Sequence, residues 1–331
     1  MSIERTFIFS PRRADGLPCS KILPDESFQH QPPIKVTIMS YNKVAIAGAG
    51  GNVGSAIFKQ LYADKYAVTV FTRPGMQSQI PSDVPLVTVD YNDVEALTDA
   101  LRGQDVFISA INVQRAMGSE NVMIDACLRA GVKLFIPSAF SVDFFSEIGQ
   151  KCAFGLPQHK IAGYARERGQ PFIIMTTGPW VELCFVQHAM WGFDVKNRKA
   201  TIYGDGTTEI SGSSFEGVGQ AVSAMLRRPE PYINQIVQVS NITFTPNQIL
   251  AALEKQAGVK YDVQYKPVDD LLKQSEKATD FPSKHYPLML YTVYAPGGCR
   301  WDRTNSDALG LKEGSLEAAI IKAADELTSR Q

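Results

Sequence analysis

The seven residues GAGGNVG, at 48–54, constrain this chain more than any other feature. They follow the short apolar run KVAIAG (43–48) and lead into a stretch, 53–62, where Val53, Ile57 and Leu61 share one helical face. A strand, a glycine loop and a helix in that order form the first turn of a dinucleotide-binding unit. Each position has a chemical reason. Gly48 permits the tight turn, Gly51 lets backbone amides approach a pyrophosphate, and Gly54 lets helix and strand pack closely. Asn52 and Val53 complete the loop. The phosphates would lie at the helix N-terminus, where unpaired N–H groups and the helix dipole attract anions. A purely structural turn is the alternative, and the strand and helix on either side argue against it.

The alternation continues. Strands are expected at 67–71, 86–89, 105–110, 133–136 and 172–176, with helices at 93–102, around 121–130, and around Lys160 and Tyr164. Repeated strand-then-helix units with apolar strands predict an α/β fold, a Rossmann-type doubly wound parallel sheet covered on both faces. After Gly178 the rhythm breaks. Residues 1–40 are Pro-rich and read as an extended or disordered arm, 41–178 as the nucleotide-binding domain, and 179–331 as a smaller, mainly substrate-binding domain. Segments near 201–240 are expected to return strands to the sheet. The stretches 246–257 and 315–328 read as amphipathic helices, the first opened by Thr245-Pro246.

The end of the second strand selects the cofactor. An Asp or Glu about 20 residues beyond the loop would bind the ribose hydroxyls of NAD. This chain has Thr72 and Arg73 there. A guanidinium forks onto a 2′-phosphate that a carboxylate would repel, so NADP(H) is expected. A solvated surface arginine is the competing reading of Arg73.

Composition narrows the partners. A net charge of −1 gives no basic excess, so nucleic acid is not expected. No apolar run reaches the ~20 residues that span a bilayer, so no membrane partner is expected and the chain reads as cytoplasmic. The five cysteines are scattered without a CxxC pair, which fits free thiols, and the four histidines show no metal-ligand spacing. No metal is expected.

Several segments together resemble one family. They are VAIAGAGGNVG (44–54), FTRPG (71–75), DVFISAIN (105–112), AGVKLFIPSAF (130–140), HKIAGYARERGQPFIIMTTG (159–178) and LGLKEGSLEAAI (309–320). The chain resembles the NmrA-like and isoflavone-reductase-like branch of the short-chain dehydrogenase/reductases, above all its fungal members. That resemblance covers roughly residues 42–325. It implies adenosine-phosphate contacts at Thr72 and Arg73, and a strand edge beside the cofactor at Ser109, Ala110 and Ile111. It also implies a nicotinamide wall at Pro137, Ser138, Ala139 and Phe140, and a substrate mouth at Gly178, Pro179 and Trp180. Lys160 is matched to the family's active-site lysine, which orients the nicotinamide ribose and relays a proton. By its residue type and position alone, Lys160 reads first as a solvated helix lysine, and only the resemblance favours the catalytic role.

Two departures stand out. The Tyr-x-x-x-Lys pairing of classical members is missing, since Leu156 lies four positions before Lys160. Ala139 stands where related reductases often carry Glu. Phe185, Trp191 and Phe193 follow the last nucleotide-domain strand and could line a pocket with Trp180, though core packing is the blander reading. His285 and Tyr286 are further candidates for a pocket wall. The resemblance implies an NADPH-dependent reductase of a small aromatic or conjugated metabolite, with a homodimer possible. Its alternative is a non-catalytic NADP(H)-sensing regulator that acts on a protein partner.

Overall fold

A computed structural model describes residues 41–75, 80–111, 119–187 and 191–329. The expected arm at 1–40 lies outside the described residues. Strands β1 (Lys43–Ala47), β2 (Ala67–Thr72), β3 (Leu86–Thr88), β4 (Val106–Ser109) and β5 (Leu134–Ile136) form a sheet in the order β3-β2-β1-β4-β5. All its pairings are parallel. A bridge between Phe135 and Phe172 continues the pattern to β6 (Ile173–Thr176). The strands β7 (Phe193–Asp194), β8 (Lys199–Tyr203) and β9 (Ile210–Gly212) follow, and β10 (Gln235–Gln238) then pairs in parallel with β6. This is a doubly wound Rossmann-type sheet, and the chain beyond Gly178 supplies its last strand.

Side-chain alternation explains why the sheet is covered twice. Val44, Ile46, Val106 and Ile108 enter one apolar cluster, while Ala45, Ala47 and Phe107 enter another. The first is closed by Ile57 and Leu61 of α1 (Asn52–Ala63). The second is closed by Leu97 of α2 (Val94–Leu101), Ile124 of α3 (Ser119–Ala130) and Ile161 of α4 (Leu156–Arg168). Strands buried on both faces read as continuous apolar runs, and these do.

A helix absent from the sequence reading, α5 (Phe215–Arg227), adds Val218 and Val222 to the first cluster by packing on α1. Gly219 lets it come close, because a Cβ there would lie 2.6 Å from the Ala56 carbonyl oxygen. The remaining strands, β11 (Ile242–Phe244) and β12 (Asp262–Lys266), pair with β9 and β8. They frame a third cluster, in which Phe185 meets Trp191, Phe193 and Phe244 edge-on. Those aromatics are core. Further helices run over Pro246–Ala257, Phe281–Tyr294 and Leu316–Ser329. The capping box of Thr245 and Gln248 sets the start of the first of them. Among the described residues no helix is long and apolar enough to cross a membrane.

Candidate functional site

The strand order reverses between β1 and β4, since β1 connects onward to β2 on one side while β4 lies on the other. A crevice opens at the carboxyl ends of strands where such a reversal occurs. Here it is a cleft of about 410 Å³, within the size range of small-molecule sites. Gly51, Asn52 and Val53 line it from the loop after β1, and Ala110 and Ile111 from the end of β4. Ser138, Phe140 and Ser141 form the wall after β5. Gln158 from α4, with Trp180 and Leu183, closes it.

The glycine loop is built as a cradle. Gly48 has φ +87°, and a Cβ on it would lie 2.6 Å from the Ala110 carbonyl oxygen. At Gly54 a Cβ would fall 2.0 Å from the Gly48 carbonyl oxygen, so loop and helix touch through bare backbone. Gly51 differs. Its nearest neighbour to an added Cβ is the Gly48 oxygen at 3.4 Å, and the rest of that space is open toward the cleft. Gly51 is also the N-cap of α1, with no side chain capping the helix and no acid in its first turn. By contrast, Asp93 caps α2 through the Glu95 and Ala96 amides. The open N–H groups of α1 and the uncapped dipole fit a pyrophosphate.

Thr72 is buried and Arg73 half-buried at the carboxyl end of β2. Burial pushes the Tyr91 hydroxyl well above its ordinary pKa, and the nearby Arg73 charge opposes that rise. Tyr91 in turn donates to the Phe71 carbonyl at 2.9 Å, which ties this corner to the strand end. A guanidinium held there fits a 2′-phosphate on an adenosine ribose bound along the same strand ends.

The other expected residues separate by position. Ser109 is fully buried and does not line the cleft, and its Oγ has no partner among the described residues. Ser138 lines the cleft and donates to the Ile111 carbonyl at 2.7 Å, joining two walls. Phe140 lines it too, whereas Ala139 points into the opposite core. Gly178 and Pro179 are buried behind Trp180, Gly178 against the Ser211 carbonyl and Pro179 accepting from the Ser213 amide. They place the indole, whose Nε1 donates to Thr177 Oγ1 at 2.9 Å and whose face leans on Phe215. His285 accepts from the Ala153 amide and packs with Phe154 and Phe281, so neither it nor Tyr286 lines this cleft.

Lys160 is not brought into the cleft. The buried face of α4 consists of Gln158, Ile161, Ala162 and Ala165, at the i, i+3, i+4, i+7 spacing of a helix packed on a core. Lys160, two residues beyond Gln158, is turned about 200° away from it and is exposed. Tyr164 is tied to Asp125 instead, donating to its carboxylate at 3.0 Å. The polar side chain that α4 presents to the cleft is Gln158, which sequence reasoning missed. Its signal was a glutamine in register with three apolar positions.

Residues 40–295 match the profile of the NmrA-like family. The chain belongs to the NmrA-like family. Among its relatives is the oxidoreductase poxI of Penicillium oxalicum, 28% identical over 296 residues, covering 85% of this chain and 93% of the relative. The oxidoreductase aprR of Aspergillus flavus is 33% identical over 231 residues, covering 67% and 76%. In fold, this NmrA-like chain is similar to the leucoanthocyanidin reductase–NADPH complex of Vitis vinifera. The TM-score is 0.70 at 17% identity, covering 85% of this chain and 99% of that one. A structure from work on pinoresinol-lariciresinol and phenylcoumaran benzylic ether reductases gives 0.71, also at 17% identity, with the same coverage.

Proposed function

We propose that this NmrA-like protein is an NADP(H)-dependent oxidoreductase that transfers hydride to a small, uncharged aromatic or conjugated substrate. The observation that carries the reading is the continuity of cradle and cleft. The open glycine loop, the uncapped start of α1 and Arg73 fit the phosphates of NADP(H). The space they lead into is walled by Phe140, Trp180 and Leu183. When bound, the cofactor supplies hydride chemistry. The chain's own part is to hold the dinucleotide through backbone amides, orient the acceptor on Trp180 and Phe140, and keep bulk water out. Relatives named as oxidoreductases cover most of the chain, which supports an enzyme over a sensor. The residues after Gly178 act as the substrate-side cover in this reading.

The Arg73 assignment has a direct test. Arg73→Glu places a carboxylate where NAD enzymes have one and opposes a 2′-phosphate. The preference for NADPH over NADH, measured as a ratio of dissociation constants by fluorescence titration, is expected to fall roughly a hundredfold. An unchanged ratio would mean that the 2′-phosphate is read elsewhere. Consumption of NADPH with a panel of conjugated aromatic ketones and alkenes tests the reaction. NADPH binding without turnover across such a panel favours the sensor reading.

A further inference from the structure

The cleft is unusual in what its wall lacks. Among the described residues lining it, none carries a side chain that titrates near neutral pH. Its polar groups are amides, hydroxyls and an indole. One of them is incompletely bonded. Gln158 is only 4% exposed, and its Oε1 has no hydrogen-bond partner among the described residues.

The local network orients that amide. The Ser141 hydroxyl has one proton, and it donates that proton to the Val142 carbonyl at 3.1 Å. Toward Gln158 it can therefore only accept, and it does so from Nε2 at 3.0 Å. Ser141 is itself pinned, since its carbonyl accepts from the Thr177 and Gly178 amides. With Nε2 committed, the buried carbonyl oxygen is the atom left without a partner among the described residues. A buried acceptor left unsatisfied is costly, and a donor supplied by a ligand removes that cost.

We infer that Gln158 is the side chain that reads the substrate, accepting a hydrogen bond from a hydroxyl or N–H on an uncharged ligand. Resting on the cleft being the substrate site, it makes Gln158 a specificity-determining residue and assigns Lys160 no contact with the ligand. A carboxylate ligand would bring a second acceptor to Gln158 and would find no cation in the described wall, so anions are disfavoured.

The test uses three para-substituted toluenes on the NADP⁺-saturated protein: 4-methylphenol, 4-methylanisole and 4-methylbenzoate. Binding is followed by calorimetry. The phenol is expected to bind about tenfold tighter than the ether, which has no donor to offer, and the benzoate to bind weakest. Gln158→Met keeps the shape and removes the amide, and is expected to abolish the phenol-over-ether preference. Gln158→Glu keeps an acceptor and is expected to retain it, which guards against loss through misfolding of the first variant. Lys160→Ala is expected to bind all three probes as the natural chain does. Equal binding of phenol and ether by the natural protein overturns the inference, as does a preference that survives in Gln158→Met. NADP⁺ affinity should be unchanged in Gln158→Met, and a tenfold loss there would reassign the residue to the cofactor. Failure of the natural chain to bind NADP⁺ at all would instead overturn the nucleotide reading beneath it.

Discussion

Gly51→Ala is expected to leave the protein folded and to weaken NADPH binding by roughly a hundredfold, about 2.7 kcal/mol. The two effects separate because of where a methyl group would go. The backbone at Gly51 is extended, with φ −85° and ψ 172°, a conformation alanine adopts without strain. Within the protein its Cβ would meet only the Gly48 oxygen, at 3.4 Å. On the other side lies the cleft, over the first amides of α1, where a pyrophosphate must approach bare backbone. Gly54→Ala gives the instructive contrast. Its Cβ would strike the Gly48 carbonyl at 2.0 Å, so it should damage the loop itself and lower the melting temperature as well. Circular dichroism paired with NADPH titration distinguishes the two. If Gly51→Ala binds NADPH like the natural chain, the loop does not hold the phosphates.

The second large effect concerns Glu120, a residue the cleft does not expose. Its side chain is 4% exposed, and one carboxylate oxygen has no partner among the described residues. Burial pushes its pKa up to about 8, opposed only by the Ser138 amide donating to it. In the unfolded chain the same group titrates near 4.5. Between those values the folded protein keeps a proton that the unfolded chain has released. Stability therefore falls as pH rises from about 4.5 to about 8, and levels off above that. This is the opposite of a salt-bridged carboxylate. Removing the ionisable group should therefore help at high pH alone. Glu120→Gln is expected to raise stability at pH 8.5 by on the order of 3 kcal/mol. That corresponds to a melting temperature roughly 5 °C higher, with no gain at pH 4.5. Thermal unfolding at the two pH values checks it, and an equal gain at both would show that Glu120 does not titrate with folding. Because Ser138 belongs to the cleft wall, the same variant reports whether that wall depends on a protonated acid behind it.

The nucleotide half of the fold was legible in the sequence because local signals and tertiary environment agree there. The strands at 43–47, 106–109 and 173–176 are buried on both faces, so burial writes itself as unbroken apolar runs. The loop was legible because glycines at 48 and 54 answer to backbone contacts rather than to any ligand. Helix α5 was not legible. Gly217 and Gly219 lower its intrinsic helix propensity, and they are present because α5 packs against Asn241 and against α1. Only the assembled structure supplies that reason.

The site was harder to read for a related cause. The catalytic expectation for Lys160 rests on its place in a family-like segment, not on its residue type. The periodicity of α4 puts it on the outer face and puts Gln158 inside. The i, i+3, i+4, i+7 spacing of Gln158, Ile161, Ala162 and Ala165 marks Gln158 as the inward polar residue. Ser138 and Ala139 are sequence neighbours as well, yet only Ser138 lines the cleft while Ala139 enters the opposite core. Gly178 and Pro179 were expected at the substrate mouth, and they lie one layer behind it, supporting Trp180.

The most direct test of the central claim is the titration of the purified full-length chain with NADPH and with NADH, read by calorimetry. NADPH is expected to bind at one site per chain, at least about tenfold tighter than NADH. Equal affinities would contradict the role given to Arg73, and absence of binding by either nucleotide would contradict a dinucleotide site at the glycine loop.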